Sequence, residues 1–285
     1  MWVLYAVGSA VFAGITSILA KMGLQKVDSY VATALRTIVV LVFAWIMAAL
    51  SGALPTIGNI QKQTYVILVL SGVTTGASWL CYFRALQLGD VNKVVSIDKS
   101  SIILTMLMAF LFLKEPVSFP KLVGLVLIGA GTYLMIQKKQ SDIQKSSNNY
   151  FIYAALSAIF AALTSILGKL GMQKIDSNLG TAIRTIVVLI MAWLIVFLLG
   201  KAGEVKKIDR KSWNYLILSG LATGASWLCY YRALKEGPAS IVAPIDKLSI
   251  LVSVGFAVVV LKEELSKKAM LGLIILTSGT LLMLL

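Results

Sequence analysis

The chain has 285 residues, of which 59% are hydrophobic and 13% are charged, and it carries a formal net charge of +14. Water-soluble domains are about half apolar and about one quarter charged, so this composition excludes an ordinary soluble domain and predicts a multi-pass protein of the cell membrane. The basic residues lie mostly between apolar segments, which indicates contact with the lipid bilayer and not with nucleic acid.

The sequence is written twice. Residues 1–137 align with 149–285 at a constant offset of 148, without insertion or deletion, and 62 of the 137 aligned pairs are identical. This period is too long for a solenoid repeat, so each copy is a folding module of its own. The predicted domains are a first module at 1–137, a polar linker at 138–148 and a second module at 149–285.

Each copy contains five apolar stretches long enough to cross a bilayer core of about 30 Å. They cover residues 3–21, 31–51, 65–86, 94–113 and 121–137, and then 151–169, 179–199, 213–234, 242–261 and 269–285. The stretches are continuous apolar runs, which excludes the alternating strands of a β-barrel. Because five is an odd number, the second copy must enter the membrane from the opposite face. The sequence therefore predicts an all-α fold of ten transmembrane helices, arranged as a 5+5 inverted-topology repeat.

The connections between spans predict the orientation. Those after odd-numbered spans hold fourteen Lys and Arg residues, whereas those after even-numbered spans hold six. The positive-inside rule then places the linker and the basic stretch Lys201–Lys211 in the cytoplasm, with both termini outside.

Span 2 contains an arginine about two turns from its end, which is deep for simple snorkelling. Arg36 stands with Thr33 and Thr37, and the second copy repeats this group as Thr181, Arg184 and Thr185. We expect the two arginines to act in gating or coupling. Arg36 either pairs with Asp98 as a gate or holds an anionic group such as a carboxylate.

A stripe of polar side chains follows one face of span 3, with Ser71, Thr75, Ser78 and Tyr82 at i, i+4, i+7 and i+11 and Trp79 beside them. Two interpretations stay open. The hydroxyls either bond to their own helix and pack, or they form the wall of a substrate cavity whose tryptophans are flat apolar surfaces. The second interpretation is favoured, and the substrate-binding residues it predicts are Thr75, Ser78, Trp79 and Tyr82, with their equivalents Thr223, Ser226, Trp227 and Tyr230.

Span 4 carries an acidic residue in each copy, Asp98 beside Lys99 and Asp246 beside Lys247. An ionisable group within a span indicates function, and we expect these four residues to act in gating or coupling. The structural alternative also stays open: both carboxylates lie in the first turn of a helix, with Pro244 as a first-turn residue, and pair with the adjacent lysines.

The parts of an enzyme are not present in the sequence. The chain has no histidine, and Cys81 and Cys229 lack metal-ligand spacing. A Walker-type phosphate loop is absent as well. We therefore expect no enzyme activity, no metal and no cofactor.

Several segments together resemble the EamA-type module of the drug/metabolite transporter superfamily. They are Ala34-Leu35-Arg36-Thr37, Phe112-Leu113-Lys114-Glu115-Pro116, Gly124-Leu125 and, in the second copy, Leu261-Lys262-Glu263 and Gly272-Leu273. The resemblance covers the whole chain as two fused five-helix modules. It implies a ten-helix transporter with a central cavity that works by alternating access. Members of the superfamily usually have both termini in the cytoplasm, so the orientation stays open.

The predicted function is secondary transport of a small amphipathic metabolite or drug, coupled to protons or to exchange. A channel, a scramblase or a passive membrane scaffold is the alternative. The expected partners are a small-molecule substrate, the bilayer and protons as coupling ion. The sequence does not indicate the oligomeric state, and a monomer is compatible with it.

Overall fold

The computed structural model describes residues 1–23, 27–88, 94, 97–98, 100–135, 149–259 and 266–284. These residues form eleven α-helices and two short 3-10 helices, with no β-strand among them, so the predicted all-α class is confirmed. The first copy contains α1 (Trp2–Gly23), α2 (Ser29–Leu50), α3 (Lys62–Leu88), α4 (Ser101–Phe112) and α5 (Phe119–Met135). The second contains α6 (Asn149–Met172), α7 (Ser177–Leu198), α8 (Arg210–Glu236), α9 (Ala239–Lys247), α10 (Ser249–Val259) and α11 (Lys267–Leu282). The 3-10 helices are Leu54–Asn59 and Ala202–Lys207.

Matching capping residues set the starts of α2 and α7. The carboxylate of Asp28 accepts a hydrogen bond from the backbone N–H of Tyr30 at 2.9 Å, and Asp176 accepts one from Asn178 at the same distance. A capping carboxylate satisfies N–H groups that have no partner within the helix. Because the two aspartates are repeat equivalents, both helices start at equivalent positions and both have 22 residues.

Six segments of the described chain are long and apolar enough to cross a membrane, and they make the chain a multi-pass integral membrane protein. They are Trp2–Ala20, Ser29–Leu50, Lys62–Tyr82, Asn149–Met172, Ser177–Leu198 and Ala239–Phe256. Two shorter apolar helices, α4 and α5, accompany them. Six is fewer than the ten spans that the sequence predicts. One predicted span, 242–261, is moreover divided at Leu248 between α9 and α10.

The two copies contact each other through helix pairs that the repeat relates. Helix α1 packs against α8, and its equivalent α6 packs against α3, whereas α2–α7 and α5–α11 are pairs of equivalent helices. In the last pair Gly124 lies against Gly279 and Gly131 lies against Gly272, so the two helices run antiparallel. A Cβ atom at Gly131 would lie 2.6 Å from the carbonyl oxygen of Gly272, so this close approach requires glycine.

A large buried apolar cluster lies mainly in the second copy. Leu179 of α7, Leu234 of α8 and Ile245 of α9 belong to it, together with Leu68 and Ala109 from the first copy. Burial of such side chains stabilises a fold by roughly 25 cal/mol per Å² of apolar surface when the alternative is water. The cluster joins the two copies at the end that contains Arg184.

Candidate functional site

Serines of the predicted polar stripe contact the other copy. Ser71 donates its hydroxyl hydrogen to the carbonyl oxygen of Thr164 in α6, and Ser78 donates to that of Ser157, both at 3.1 Å. The equivalent bonds of α8, also 3.1 Å long, join Ser219 to Thr16 and Ser226 to Ser9. These four buried serines therefore hold α3 and α8 against the first helix of the opposite copy.

Each span-2 arginine reaches a threonine of the opposite copy. Arg36 donates from Nη2 to Thr223 Oγ1 at 2.7 Å, and Arg184 donates from Nη2 to Thr75 Oγ1 at the same distance. Both threonines donate in turn to the carbonyl oxygen four residues earlier, at 2.7 and 2.8 Å. The threonines thus orient the two guanidinium groups towards the space between the copies.

The two carboxylates of span 4 bond to serines of the first helices. Asp98 accepts a hydrogen bond from the Ser157 hydroxyl at 2.8 Å, and Asp246 accepts one from Ser9 at 2.5 Å. The predicted ion pair between Arg36 and Asp98 is therefore wrong: both residues are described, and each bonds to a hydroxyl instead.

Asp246 does not lie in the first turn of its helix, so that structural alternative is wrong for this residue. Helix α9 begins at Ala239, and Asp246 is its second-last residue, with Pro244 inside the helix. No ion pair joins Asp246 to Lys247 within the described chain. Lys99, the predicted partner of Asp98, lies outside the described residues.

Two adjoining cavities lie between the copies, one of about 540 Å³ and one of about 310 Å³. Volumes of this order are usual for small-molecule sites. The cavities share seven lining residues, and six of these are repeat equivalents: Ala13 and Ala161, Ser78 and Ser226, and Trp79 and Trp227, with Lys247 as the seventh. The shared wall is thus nearly symmetric and contains both tryptophans.

The predicted site residues divide between the two cavities. Arg36, Tyr82, Asp98 and Thr223 line the larger one. Their equivalents Arg184, Tyr230, Asp246 and Thr75 line the smaller one. The structure therefore brings together every predicted binding and gating residue that it describes, and their roles stay predictions.

The end of the larger cavity around Arg36 is more exposed than the equivalent end of the smaller cavity around Arg184, and we call these ends the open end and the closed end. The larger cavity is lined by Ser17, whose side chain is exposed, and by the partly buried Arg36. On the opposite side Thr181, Arg184 and Thr185 are each at most 1% exposed. Equivalent positions thus have unequal access to the surface.

Aromatic rings cover the closed arginine. The Arg184 guanidinium lies 5.3 Å from the ring centroid of Trp227 and 4.5 Å from that of Tyr231. Beside them the Tyr230 hydroxyl donates to Ser165 at 3.0 Å. Stacking of a guanidinium on aromatic faces is favourable and stronger when water is excluded, so these contacts stabilise the closed arrangement.

A network that we call the latch joins the copies at the same end as Arg184. Glu115, in the loop after α4, forms an ion pair with Lys169 of α6 at 3.0 Å. It also accepts hydrogen bonds from the backbone N–H groups of Ala239 and Ser240 at 2.6 and 2.9 Å and from the Ser240 hydroxyl at 2.5 Å. Lys169 donates further to the carbonyl oxygen of Gly237 at 2.6 Å. The carboxylate thus caps the start of α9.

The charge of the latch follows from its contacts. Burial alone would raise the pKa of the Glu115 carboxyl, but hydrogen bonds from Ser240 and the charge of Lys169 outweigh burial and lower the pKa below its usual value. Glu115 is therefore ionised at neutral pH. The sequence equivalents of the ion pair are Lys21 and Glu263, whose side chains lie outside the described residues.

Sequence reasoning missed the partners in the first helices and the latch. Ser9 and Thr16 stand seven residues apart on one face of α1, and the second copy keeps them as Ser157 and Thr164. That retained spacing is the signal that would have found them. Glu115 was noted only as part of a motif, and nothing in the sequence connects it with Ser240.

Comparisons with known proteins place the chain among transporters. Residues 1–137 and 148–285 each match the family model described as the EamA-like transporter family. A Sinorhizobium sp. protein named as an uncharacterized transporter in the cobO 3' region is 45% identical over 137 residues, which are 48% of this chain and 97% of that protein. An uncharacterized transporter of Methanothermobacter thermautotrophicus is 26% identical over 228 residues, or 77% of this chain and 64% of that protein. The chain thus matches slightly less than two thirds of the second relative's length.

One solved crystal structure has the same fold. It superposes with a TM-score of 0.81 over 99% of this chain and 96% of its own chain, at 13% sequence identity. At that identity the match shows the fold alone.

Proposed function

The chain belongs to the EamA-like transporter family, and we propose that it is a secondary transporter that moves a small amphipathic solute across the cell membrane by alternating access. The observation that carries the proposal is the unequal exposure of two ends that are built from equivalent residues, because Arg36 is partly exposed whereas Arg184 is 1% exposed. A transporter of this class needs two gates, of which only one is open at a time.

The proposed architecture is ten spans in two inverted modules, 1–137 and 149–285, joined by the linker 138–148. The antiparallel pairing of α5 with α11 supports the inversion, because equivalent helices of two modules with the same orientation would run parallel. The contact of α1 with α8 gives the same support: Ser9 meets Ser226 and Thr16 meets Ser219, so these helices also run antiparallel.

In this proposal the shared wall holds the solute near the middle of the membrane. Trp79 and Trp227 give it flat apolar surfaces, and Ser78 and Ser226 lie next to them. Since both cavities include this wall, the solute keeps contact with it while access changes from one side to the other. Thr75, Tyr82, Thr223 and Tyr230 complete the proposed binding residues.

The charged residues take the gating role. The latch and the covered Arg184 hold the second copy's end closed, whereas Arg36 lies at the open end. Asp98 and Asp246 are the groups through which protons would couple to transport, and exchange of one solute for another is the alternative mode. One chain supplies both cavities, so we propose that the monomer is the transporting unit.

Flux into proteoliposomes tests the proposal. A carrier gives uptake that saturates with solute concentration and is stimulated when the same solute is loaded on the opposite side. Linear, unstimulated flux would instead support the channel alternative, and no flux of any solute that binds would support a passive scaffold. Candidate solutes come from a thermal-shift screen, because a ligand that binds only the folded state raises its stability.

A further inference from the structure

The two arginines that line the cavities have no carboxylate partner among the described residues. Arg36 lines the larger cavity and Arg184 the smaller one, and neither forms an ion pair with Asp98 or Asp246, although those carboxylates line the same cavities. A buried cation is costly unless a counter-charge reaches it, and the exposed Lys247 adds a further positive charge to the lining. The unpaired arginines therefore point to a negatively charged occupant.

None of these cations forms an ion pair within the described chain. The ion pairs found there join Lys169 to Glu115, Lys201 to Asp28, Lys207 to Glu204 and Arg232 to Glu236. Arg36 Nε and Arg184 Nη1 are buried and have no hydrogen-bond partner. A buried donor of a charged group that lacks an acceptor is costly, and a carboxylate is a strong acceptor for it.

The carboxylates of the cavities are less available than the arginines. The Ser157 hydroxyl already donates to Asp98, and the Ser9 hydroxyl donates to Asp246. Arg36, in contrast, is bound through Nη2 to Thr223. Arg184 is bound through Nη2 to Thr75 and through Nε to Ser71. Each arginine keeps one buried nitrogen without an acceptor in the described part of the chain, and such a nitrogen can donate a charge-assisted hydrogen bond to a carboxylate.

We propose that the transported solute is a small organic anion with an apolar body, whose carboxylate binds Arg36 in the larger cavity with Lys247 nearby. Its body lies against Trp79 and Trp227. When access changes sides, the equivalent pair of Arg184 and Thr75 receives the carboxylate, so the two arginines form alternate subsites for one anionic group. This inference rests on the proposed transport function and names its substrate class.

The test compares matched probes on the purified chain in lipid nanodiscs. 3-Phenylpropanoate, 3-phenylpropanamide and 3-phenylpropylamine share one apolar body and differ in the charge of the head group, and hexanoate, hexanamide and hexylamine form an aliphatic set. We expect only the two carboxylates to raise the melting temperature. Stronger binding of an amine or amide, or binding by no carboxylate, would overturn the proposal.

Variants locate the anion. Arg36→Gln should weaken carboxylate binding by at least about tenfold, and Lys247→Gln, at an exposed position, should weaken it by a few fold. Arg210→Gln, which removes an exposed charge outside both cavities, is the control and should change nothing. The melting temperature without ligand reports whether each variant folds. Carboxylate binding that is unchanged in folded Arg36→Gln and Lys247→Gln would contradict the subsite.

Proteoliposome flux separates this inference from the proposed function. Carboxylate binding that depends on Arg36 without saturable exchange would support the anion subsite and reject the transporter. Saturable exchange of a neutral or cationic solute would support the transporter and reject the anion subsite.

Discussion

The larger and the smaller cavity differ in access although they are built from equivalent residues. In both, an arginine bonds to a threonine of the opposite copy and an aspartate accepts a hydrogen bond from a serine. Aromatic rings and the latch lie at the end of Arg184, whose side chain is 1% exposed, whereas Arg36 is partly exposed. The same hydrogen-bond pattern therefore exists in an open and in a closed setting.

This difference indicates which contacts determine the free-energy difference between the open and the closed state of the gate. Hydrogen bonds that are equal on both sides cannot favour one side over the other. We expect the aromatic contacts of Arg184 and the latch to set the balance between two states, whose free energies need differ by only a few kcal/mol. Changes to those contacts should affect access most, and changes to the shared wall should affect both cavities alike.

The largest effect is expected from the latch. Glu115→Gln removes the ion pair with Lys169 and weakens the cap of α9, and breaking one partner of a buried pair costs about 3–5 kcal/mol. The closed end should open, so a cysteine introduced by Ser165→Cys should react with a thiol reagent at least about tenfold faster. Glu204→Gln, in an exposed pair with Lys207, is the control. An unchanged labelling rate would mean that the latch does not hold the gate.

Lowering the pH should weaken the latch, as Glu115→Gln does, because it protonates Glu115. Because the pKa of Glu115 is lower in the folded state, its ionised form contributes stability above the unfolded pKa, and that stability is lost as the pH falls through the lowered value. The labelling rate at Ser165→Cys, divided at each pH by that of free cysteine to correct for the thiolate fraction, should therefore stay constant between pH 8 and 6 and rise only below the usual carboxyl pKa. A rise already near pH 7 would assign the opening to another group.

A smaller effect, equal for the two copies, is expected at the shared wall. Trp79→Ala and Trp227→Ala each remove an aromatic surface that lines both cavities, and loss of such burial is worth about 1.5–3 kcal/mol. Solute affinity should fall by about tenfold or more in either variant. Trp193→Ala, which alters a ring packed on Phe197 outside the cavities, should leave affinity unchanged. A loss confined to one of the two tryptophans would break the proposed symmetry of the wall.

The aspartates should affect rate more than binding. Asp98→Asn and Asp246→Asn keep the shape and the acceptor for Ser157 and Ser9 but remove a charge near each gate. We expect exchange rates to change several-fold while affinity stays within about twofold, as measured by initial flux and thermal shift on the same preparations. A tenfold loss of affinity in either variant would place that carboxylate in contact with the solute.

The smallest effect is expected from the stripe serines. Ser78→Ala and Ser226→Ala each remove one hydrogen bond to a carbonyl oxygen of the opposite copy, worth about 1 kcal/mol, so the melting temperature should fall by about 2–4 °C. If affinity also falls, the serines bind the solute. If only stability falls, they serve packing and the cavity interpretation holds for the aromatic residues alone.

Most helices could be predicted from the sequence because apolar length is a local signal and because it occurs in both copies. Apolar length alone predicted spans at 3–21 and 179–199, and the helices are Trp2–Gly23 and Ser177–Leu198. Repetition of Arg36, Asp98 and the polar stripe also singled out residues that the fold places around common cavities. The break at Leu248 was not predicted, although Pro244, the charged pair Asp246 and Lys247, and Ser249 stand beside it in the run 242–261.

The partners of the site residues could not be predicted, because they depend on how the copies pack. Arg36 was expected to meet Asp98 within its own copy, yet the packing of α2 on α8 gives it Thr223. A single serine in an apolar span, such as Ser9, carries no signal of its own until α1 is placed against α8. The difference in exposure between Arg36 and Arg184 is likewise conformational, and the equivalent residues of the two copies do not encode it.

Thiol labelling of two equivalent positions tests the central claim most directly. The two variants are Ser17→Cys in the larger cavity and Ser165→Cys in the smaller one, made separately in a chain whose Cys81 and Cys229 are replaced by alanine. Each variant is labelled with an impermeant thiol reagent in right-side-out and in inside-out vesicles. Alternating access in an inverted repeat predicts that the two cysteines react from opposite faces, and that Glu115→Gln speeds labelling at Ser165→Cys while slowing it at Ser17→Cys. The face that labels Ser17→Cys also fixes the orientation. Labelling of both cysteines from one face, or rates that rise together, would contradict the account.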